Sequence, residues 1–184
     1  MGRKLAVTEF LSLDGVMEAP QEWSGSYGNE ESGKYKLDEV FATDALLLGR
    51  VTYEGFAEAW PGRTDEQGFA DRFNSIPKYV ATTTLKDLEW NNSTQLEGDL
   101  AAAVSELKEE PGGDIVVHGS GDLVQSLMRE NLTDEYRLMV FPIILGKGQR
   151  LFPEGSEAKL KLVESKSFSS GVVVLTYEPA SATS

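Results

Sequence analysis

Two short apolar runs, Ala45-Leu46-Leu47-Leu48-Gly49-Arg50-Val51-Thr52 and Ile115-Val116-Val117-His118-Gly119-Ser120-Gly121-Asp122-Leu123, each reach a glycine and pass straight into a helical pattern. A buried strand that becomes a helix at a glycine leaves backbone N–H groups free at the positive end of the helix dipole, an arrangement suited to a phosphate. Two such junctions on one sheet can hold a dinucleotide. Arg50 adds a fixed cation whose forked donors match a pair of phosphate oxygens. The competing account is close packing at two strand–helix junctions, with Arg50 as an ordinary surface arginine.

Charge sharpens that reading. The chain has 17 Lys and Arg against 30 Asp and Glu, a formal net charge of -13, so a polyanion is repelled over most of the surface. Nucleic acid and anionic membranes are not expected as partners on this ground. A phosphorylated ligand then needs locally placed cations, for which Arg50, Lys78, Lys86, Lys147 and Arg150 are the candidates. The 184 residues suit one domain, residues 1–178, followed by a small, polar tail at 179–184 expected to fray.

There is no cysteine and a single histidine, His118. Thiolate chemistry is thereby absent, and metal sites built on paired imidazoles are not expected, so the chemistry points to a borrowed cofactor and no metal. The start Met1-Gly2-Arg3-Lys4 leads into a strand-like stretch broken by Thr8 and Glu9. That fits neither a signal peptide nor a membrane span, and a soluble, cytoplasmic protein is expected.

Along the chain, residues 5–11 alternate as a strand and run into an Asp14-Gly15 turn. Residues 18–33, with Pro20, Gly25, Gly28, Gly33, Trp23 and Tyr27, read as a mobile loop of the kind that forms lids. Helices are expected over 34–42, 52–59, 99–108 and 121–131, strands over 45–48, 78–83, 94–96 and 114–118, and a loop with one helical turn over 62–75. The last third turns β-like, at 135–144, 159–167 and 171–178, the final two forming a hairpin around Ser169-Ser170-Gly171. Strand–helix alternation followed by antiparallel strands implies an α/β fold, a mixed, mostly parallel sheet with helices on both faces.

Several segments carry a resemblance: Ser12-Leu13-Asp14-Gly15, Leu48-Gly49-Arg50-Val51-Thr52-Tyr53-Glu54, His118-Gly119-Ser120-Gly121, Leu132-Thr133-Asp134-Glu135-Tyr136-Arg137, and Phe141-Pro142-Ile143-Ile144-Leu145-Gly146-Lys147-Gly148 with Leu151-Phe152. In this order and spacing, from about Lys4 to Tyr177, they resemble the reductase domain of the bifunctional riboflavin-biosynthesis deaminase-reductase and, more distantly, dihydrofolate reductase. Nothing resembles the zinc deaminase half. The resemblance implies a dihydrofolate reductase-like three-layer fold, NADPH as cofactor, and hydride transfer to a planar heterocycle, either a 5-amino-6-(5-phosphoribosylamino)uracil-like pyrimidine or a pteridine.

It also implies roles. Gly49, Arg50 and Thr52 would face the cofactor phosphates, Thr82, Thr83 and Thr84 the adenosine side, and Gly119, Ser120 and Gly121, with Asp122 and Leu123 behind them, would cradle the pyrophosphate. Asp14 and His118 would border the nicotinamide. An acid on the first helix hydrogen-bonds the pterin in dihydrofolate reductase; Glu30, Glu31 and Asp38 offer themselves here, Glu31 being the catalytic candidate, while Glu58 is the nearest match to an acid of the riboflavin enzyme. Trp23 and Phe41 are candidate substrate contacts. A homodimer is expected from the apolar C-terminal strands. The alternative function is a non-catalytic NADP-binding sensor or accessory protein on the same scaffold.

Overall fold

The computed structural model describes residues 2–181. Its eight strands are β1 (Leu5–Leu11), β2 (Thr43–Gly49), β3 (Lys78–Ala81), β4 (Ser93–Gln95), β5 (Asp114–His118), β6 (Glu135–Val140), β7 (Leu160–Ser167) and β8 (Val173–Pro179). They form one sheet in the order β4-β3-β2-β5-β1-β6-β8-β7. The first six run parallel, and β8 pairs antiparallel with both β6 and β7. The helices are α1 (Pro20–Trp23), α2 (Glu30–Ala42), α3 (Arg50–Ala59), α4 (Phe69–Ser75), α5 (Leu100–Glu109) and α6 (Gly121–Arg129).

Alternation along the central strands divides the core. Leu5 and Val7 of β1, Ala45 and Leu47 of β2, and Ile115 and Val117 of β5 meet Val104 and Leu107 of α5 and Leu123, Val124 and Leu127 of α6. On the opposite face Leu46, Leu48 and Val80 meet Val40 of α2, Tyr53 of α3 and Phe73 of α4. Because β2 and β5 are covered on both faces their centres, Ala45–Leu48 and Ile115–Val117, read as unbroken apolar runs, the pattern of parallel strands, whereas β1 carries Thr8 and Glu9 within its run. This is the three-layer mixed sheet expected from the sequence.

Four local expectations change. The segment read as a mobile loop is built: it holds α1, a 3-10 turn at Gly25–Tyr27 and the start of α2, and the Trp23 and Tyr27 rings stand edge-on to Phe141 at 5.4 and 5.9 Å. Residues 62–75 contain a two-turn helix, α4, whose first amides are satisfied by the Asp65 carboxylate, which accepts from Phe69 and Ala70 N–H at 3.0 and 2.6 Å. The strand expected over 135–144 stops at Val140, before Pro142, which has no N–H to continue a ladder. At the C-terminus Pro179 closes β8 and Ala180 N–H donates to Lys159 C=O at 2.8 Å. The tail is therefore held through Ala180, and residues 182–184 lie outside the described residues.

Candidate cofactor and active site

Six parallel strands bring their C-terminal ends to one edge, which carries the turns after Leu11, Gly49, Ala81 and His118. Since β2 and β5 are neighbours, the two glycine corners meet there. They interlock: Gly49 N–H donates to Ser120 Oγ at 2.9 Å, Ser120 N–H to Thr52 Oγ1 at 3.0 Å, and Ser120 Oγ–H to His118 C=O at 3.0 Å. Gly119 and Ser120 both have left-handed backbones, with φ of 53° and 59°. A Cβ on Gly119 would lie 2.9 Å from Thr52 Oγ1, and one on Gly49 would lie 3.4 Å from Ser120 Cβ. Gly121 is pressed from the other side, where a Cβ would meet Gln149 Nε2 at 2.5 Å and Met17 Sδ at 2.8 Å. Part of the demand for small residues is therefore packing within the chain.

Neither α3 nor α6 has a side chain capping its first turn, and both helices open at this junction. Arg50 sits on the first turn of α3 with its side chain 47% exposed and pairs with Glu54 at 2.8 Å one turn on. An exposed i,i+4 pair is worth a few tenths of a kcal/mol, so its guanidinium is available to a stronger anion. Leu123 turns its side chain into the core, leaving only its backbone toward the corner, and Asp122 is exposed beside Gln149, with 3.5 Å between Oδ1 and Nε2. Thr82 closes the end of β3, its Oγ1 accepting from Thr84 and Leu85 N–H at 3.2 Å each, with Thr83 and Thr84 exposed.

The expected catalytic acids are otherwise engaged. Asp14 accepts from Ser12 Oγ at 2.6 Å and from the N–H groups of Leu145 and Gly146 at 3.1 and 2.8 Å. Led by the Ser12 hydroxyl, these donors hold its carboxyl down at about 2, so it is a latch between two loops and keeps no proton near neutrality. Glu31 accepts from Ser169 N–H and Oγ at 2.7 and 2.5 Å; it ties the start of α2 to the β7–β8 turn and makes no contact with the glycine corners. Glu58 is exposed on α3, and Phe41, 52% exposed, lies beside Gly68. Trp23 donates from Nε1 to Glu18 C=O at 2.9 Å. Of the candidate cations, Lys78 is fully buried and unavailable to a ligand.

His118 lies at the corner itself. Its ring packs edge-on to Phe56 and Phe73, with centroids 6.3 and 5.6 Å apart, and burial, reinforced by Lys36, pushes its pKa down to about 3. It is a neutral imidazole at physiological pH.

Four residues that sequence reasoning passed over complete the neighbourhood. Glu9 is buried beneath the Gly119 turn; burial drives its carboxyl well above the usual range, and its Oε1 has no hydrogen-bond partner. On the face under α2, Thr8 stands in register with both His118 and Arg137. Lys36 reaches down from α2 to Thr8 Oγ1 at 3.2 Å and to Glu39, and Arg137 is bound by Glu135 at 2.5 Å and Asp114 at 2.8 Å. The available signal was a Lys–Glu pair at i,i+3 inside the apolar stripe formed by Tyr35 and Val40.

The family model described as the RibD C-terminal domain matches residues 3–174. The Bacillus subtilis (strain 168) proteins YyaP and YwjB are 31% and 29% identical over 95% and 94% of this chain and 94% and 96% of their own lengths. Among solved structures, a protein described as a "putative riboflavin biosynthesis protein" from Shewanella sp. PV-4 superposes with a TM-score of 0.76 at 22% identity, covering 98% of this chain and 100% of that one. A diaminohydroxyphosphoribosylaminopyrimidine deaminase/5-amino-6-(5-phosphoribosylamino)uracil reductase from Thermotoga maritima superposes with a TM-score of 0.66 at 14% identity, over 97% of this chain and 57% of that one. With a match spanning nearly its whole length, and the fold of the reductases it resembles, the chain belongs to the RibD C-terminal domain family.

Proposed function

We propose that this protein is an NADPH-dependent reductase that passes a hydride to a planar heterocycle, a 5-amino-6-(5-phosphoribosylamino)uracil-like pyrimidine or a pteridine. The observation that carries the reading is the junction of two helix N-termini without a capping side chain, α3 and α6, with an exposed arginine on the first turn of α3 in an otherwise acidic molecule. Free amides and a guanidinium are the donors a diphosphate requires, so the residues present fit the cofactor. The backbone of Gly49–Thr52 and Gly119–Leu123 would hold the phosphates, Arg50 the pyrophosphate or the 2′-phosphate, and Thr82, Thr83 and Thr84 the adenosine side. Bound there, NADPH supplies the hydride.

The remaining tasks fall to the chain. The interlocked Gly49, Thr52 and Ser120 fix the corner before any ligand arrives, which lowers the ordering cost of binding. His118, neutral and flanked by aromatic rings, offers a hydrogen-bonding ring edge without a charge. Of the carboxyls Glu9, Asp14 and Glu31, only Glu9 is in surroundings that favour the protonated acid, so it is the one suited to hold a proton at this edge. The sensor alternative draws on the same fact, since the two acids expected to serve catalysis are spent on structural bonds.

The test is NADPH titration of the wild type and Arg50→Ala, followed by oxidation of the bound nucleotide with pyrimidine and pteridine substrates. Loss of one charge-assisted phosphate contact should weaken NADPH about tenfold. The melting temperature of the free protein should move little, because the Arg50–Glu54 pair is an exposed one. Equal affinity in both proteins, or no binding at millimolar NADPH, refutes the reading, and tight binding without turnover on either ring class selects the sensor.

A further inference from the structure

The flank of α6 turned away from Arg50 borders a cleft of about 810 Å³, a size typical of small-molecule sites. Its other walls are residues 153–159, the approach to β6, the start of β7 and the end of β8. In the sheet these strands lie beyond β1 from β2 and β3, so the cleft and the corner that carries Arg50 are on opposite flanks of the helix. The wall facing α6 is held in place by Gln125, whose amide donates to Leu151 C=O and accepts from Ser156 Oγ at 3.2 Å.

The two ends of this cleft are charged with opposite signs. Asp122 stands in the first turn of α6 and Arg129 in the last. Seven residues make two turns, so the two side chains leave the same face of the helix, roughly 10 Å apart along its axis. Glu154 belongs to the acidic end, since with Asp122 it also lines the smaller hollow beside residues 146–150. Lys159 belongs to the basic end: its C=O accepts from Ala180 N–H at 2.8 Å and Leu160 pairs with Pro179. Because β8 runs antiparallel to β6 with Tyr177 opposite Tyr136, these residues come level with Thr133 and the close of α6.

None of the four charges is spent within the protein. Arg129 donates to Ser126 Oγ at 3.0 Å, Asp122 has only the Gln149 amide at 3.5 Å, and neither they nor Lys159 and Glu154 form an ion pair among the described residues. An acid at the start of a helix and a base at its end complement the helix dipole, but the dipole calls for neither Glu154 nor Lys159. At the basic end the wall is Thr133, 4% exposed, and beside it Tyr136. Thr133 Oγ1 is buried without a hydrogen bond, an uncommon state for a hydroxyl that leaves a donor for an incoming acceptor. Met128, Pro153 and Leu160 supply apolar lining between the ends.

We propose that this cleft is a second ligand site, for a small zwitterion whose carboxylate and ammonium stand roughly 10 Å apart. The carboxylate lies against Arg129 and Lys159 above Thr133, and the ammonium against Asp122 and Glu154. An aliphatic ω-amino acid has this form, and so does a tripeptide, whose extended chain spans about 10 Å between its termini. The site is independent of the reductase reading, because it uses no group assigned to the hydride step and its test needs no nucleotide.

Calorimetric titration with 8-aminooctanoate, 8-acetamidooctanoate and 8-aminooctanamide removes one ligand charge at a time while keeping the body. The zwitterion is expected to bind about tenfold more tightly than either derivative, the factor that one charge-assisted contact supplies. Arg129→Met/Lys159→Met should abolish its advantage over the amide, and Glu154→Gln should reduce its advantage over the acetamide. All three side chains are exposed, so thermal unfolding of the variants should match the wild type. Triglycine titrated in parallel distinguishes the two bodies: tighter binding than 8-aminooctanoate assigns the site to peptide termini, weaker binding to an aliphatic chain. Binding of neither zwitterion at millimolar concentration, equal binding of the singly charged derivatives, or an unchanged preference in the folded variants overturns the proposal.

Discussion

Lys78 shows how far a residue's role can lie from its formal charge. Its stem is buried, its ammonium donates to the carbonyls of Asn74, Ile76 and Asn91 at 2.7, 2.8 and 2.9 Å, and it lies 4.2 Å from the centroid of the Trp90 ring. Among the described residues no carboxylate pairs with it; three carbonyl dipoles and an indole face stabilise its charge. Burial pulls its pKa down to about 8, against 10.5 in an unfolded chain. Between these values the unfolded state binds more protons than the native one, so stability rises with pH across roughly 8 to 10.5. Lys78→Met should erase that rise, and it should cost about 2 kcal/mol below pH 8, where the carbonyls at the end of α4 lose their donor. Urea unfolding of both proteins at pH 7 and pH 9.5 measures the difference; a gap between them that does not widen with pH contradicts the assignment.

At the scale of elements, the sequence exposed the features whose cause is local and hid those whose cause is a distant partner. The centres of β2 and β5 were legible because burial on both faces leaves apolar side chains there, and β1 was legible from its alternation. Likewise Asp99 announced α5 by accepting from Ala102 N–H. The start of α2 was missed because its apolar stripe begins at Tyr35, whereas the helix begins at Glu30 through a reciprocal cap: Asn29 Oδ1 accepts from Ser32 N–H at 3.0 Å and Ser32 Oγ from Asn29 N–H at 3.0 Å. A serine in place of the usual Glu or Gln at the third position concealed it. The site divided in the same way. Glycine corners are a local signal and were found, but the union of Lys36, Thr8, Arg137 and His118 depends on α2 crossing β1, β5 and β6, and no sequence spacing encodes that crossing. The bonds that engage Asp14 and Glu31 were hidden for the same reason, since those partners lie 131 and 138 residues away. Removal of the cap by Asn29→Ala should destabilise the protein by about 1 kcal/mol, a fall of about 3 °C in Tm for a chain of this size. Ser32→Ala added to it should cost much less than it does alone, because the two side chains form one unit. Full additivity of the two losses in thermal unfolding would show that the box does not act as a pair.

For the whole molecule, the net charge of -13 sets the long-range field and the corner sets the short-range one, and the two have opposite effects on an anionic dinucleotide. A folded chain of this length has a radius of gyration of about 16 Å. At 0.01 M salt the screening length is about 30 Å, so an approaching NADPH feels the entire acidic surface and is repelled. At 0.15 M the screening length is about 8 Å, and the nucleotide near the corner feels chiefly the α3 and α6 amides and Arg50. Raising salt over this range should therefore speed association, the reverse of the usual behaviour of phosphate-binding proteins, whose basic surfaces attract their ligands. Dissociation should also quicken, because the contact proposed between Arg50 and a phosphate would itself be screened, and Arg50→Ala should flatten that second dependence while leaving the first in place. Stopped-flow fluorescence of NADPH binding separates the two rates. An association rate that falls as salt rises would mean that the field at the cleft mouth is positive despite the acidic whole, and that Arg50 is reinforced there by cations now assigned elsewhere.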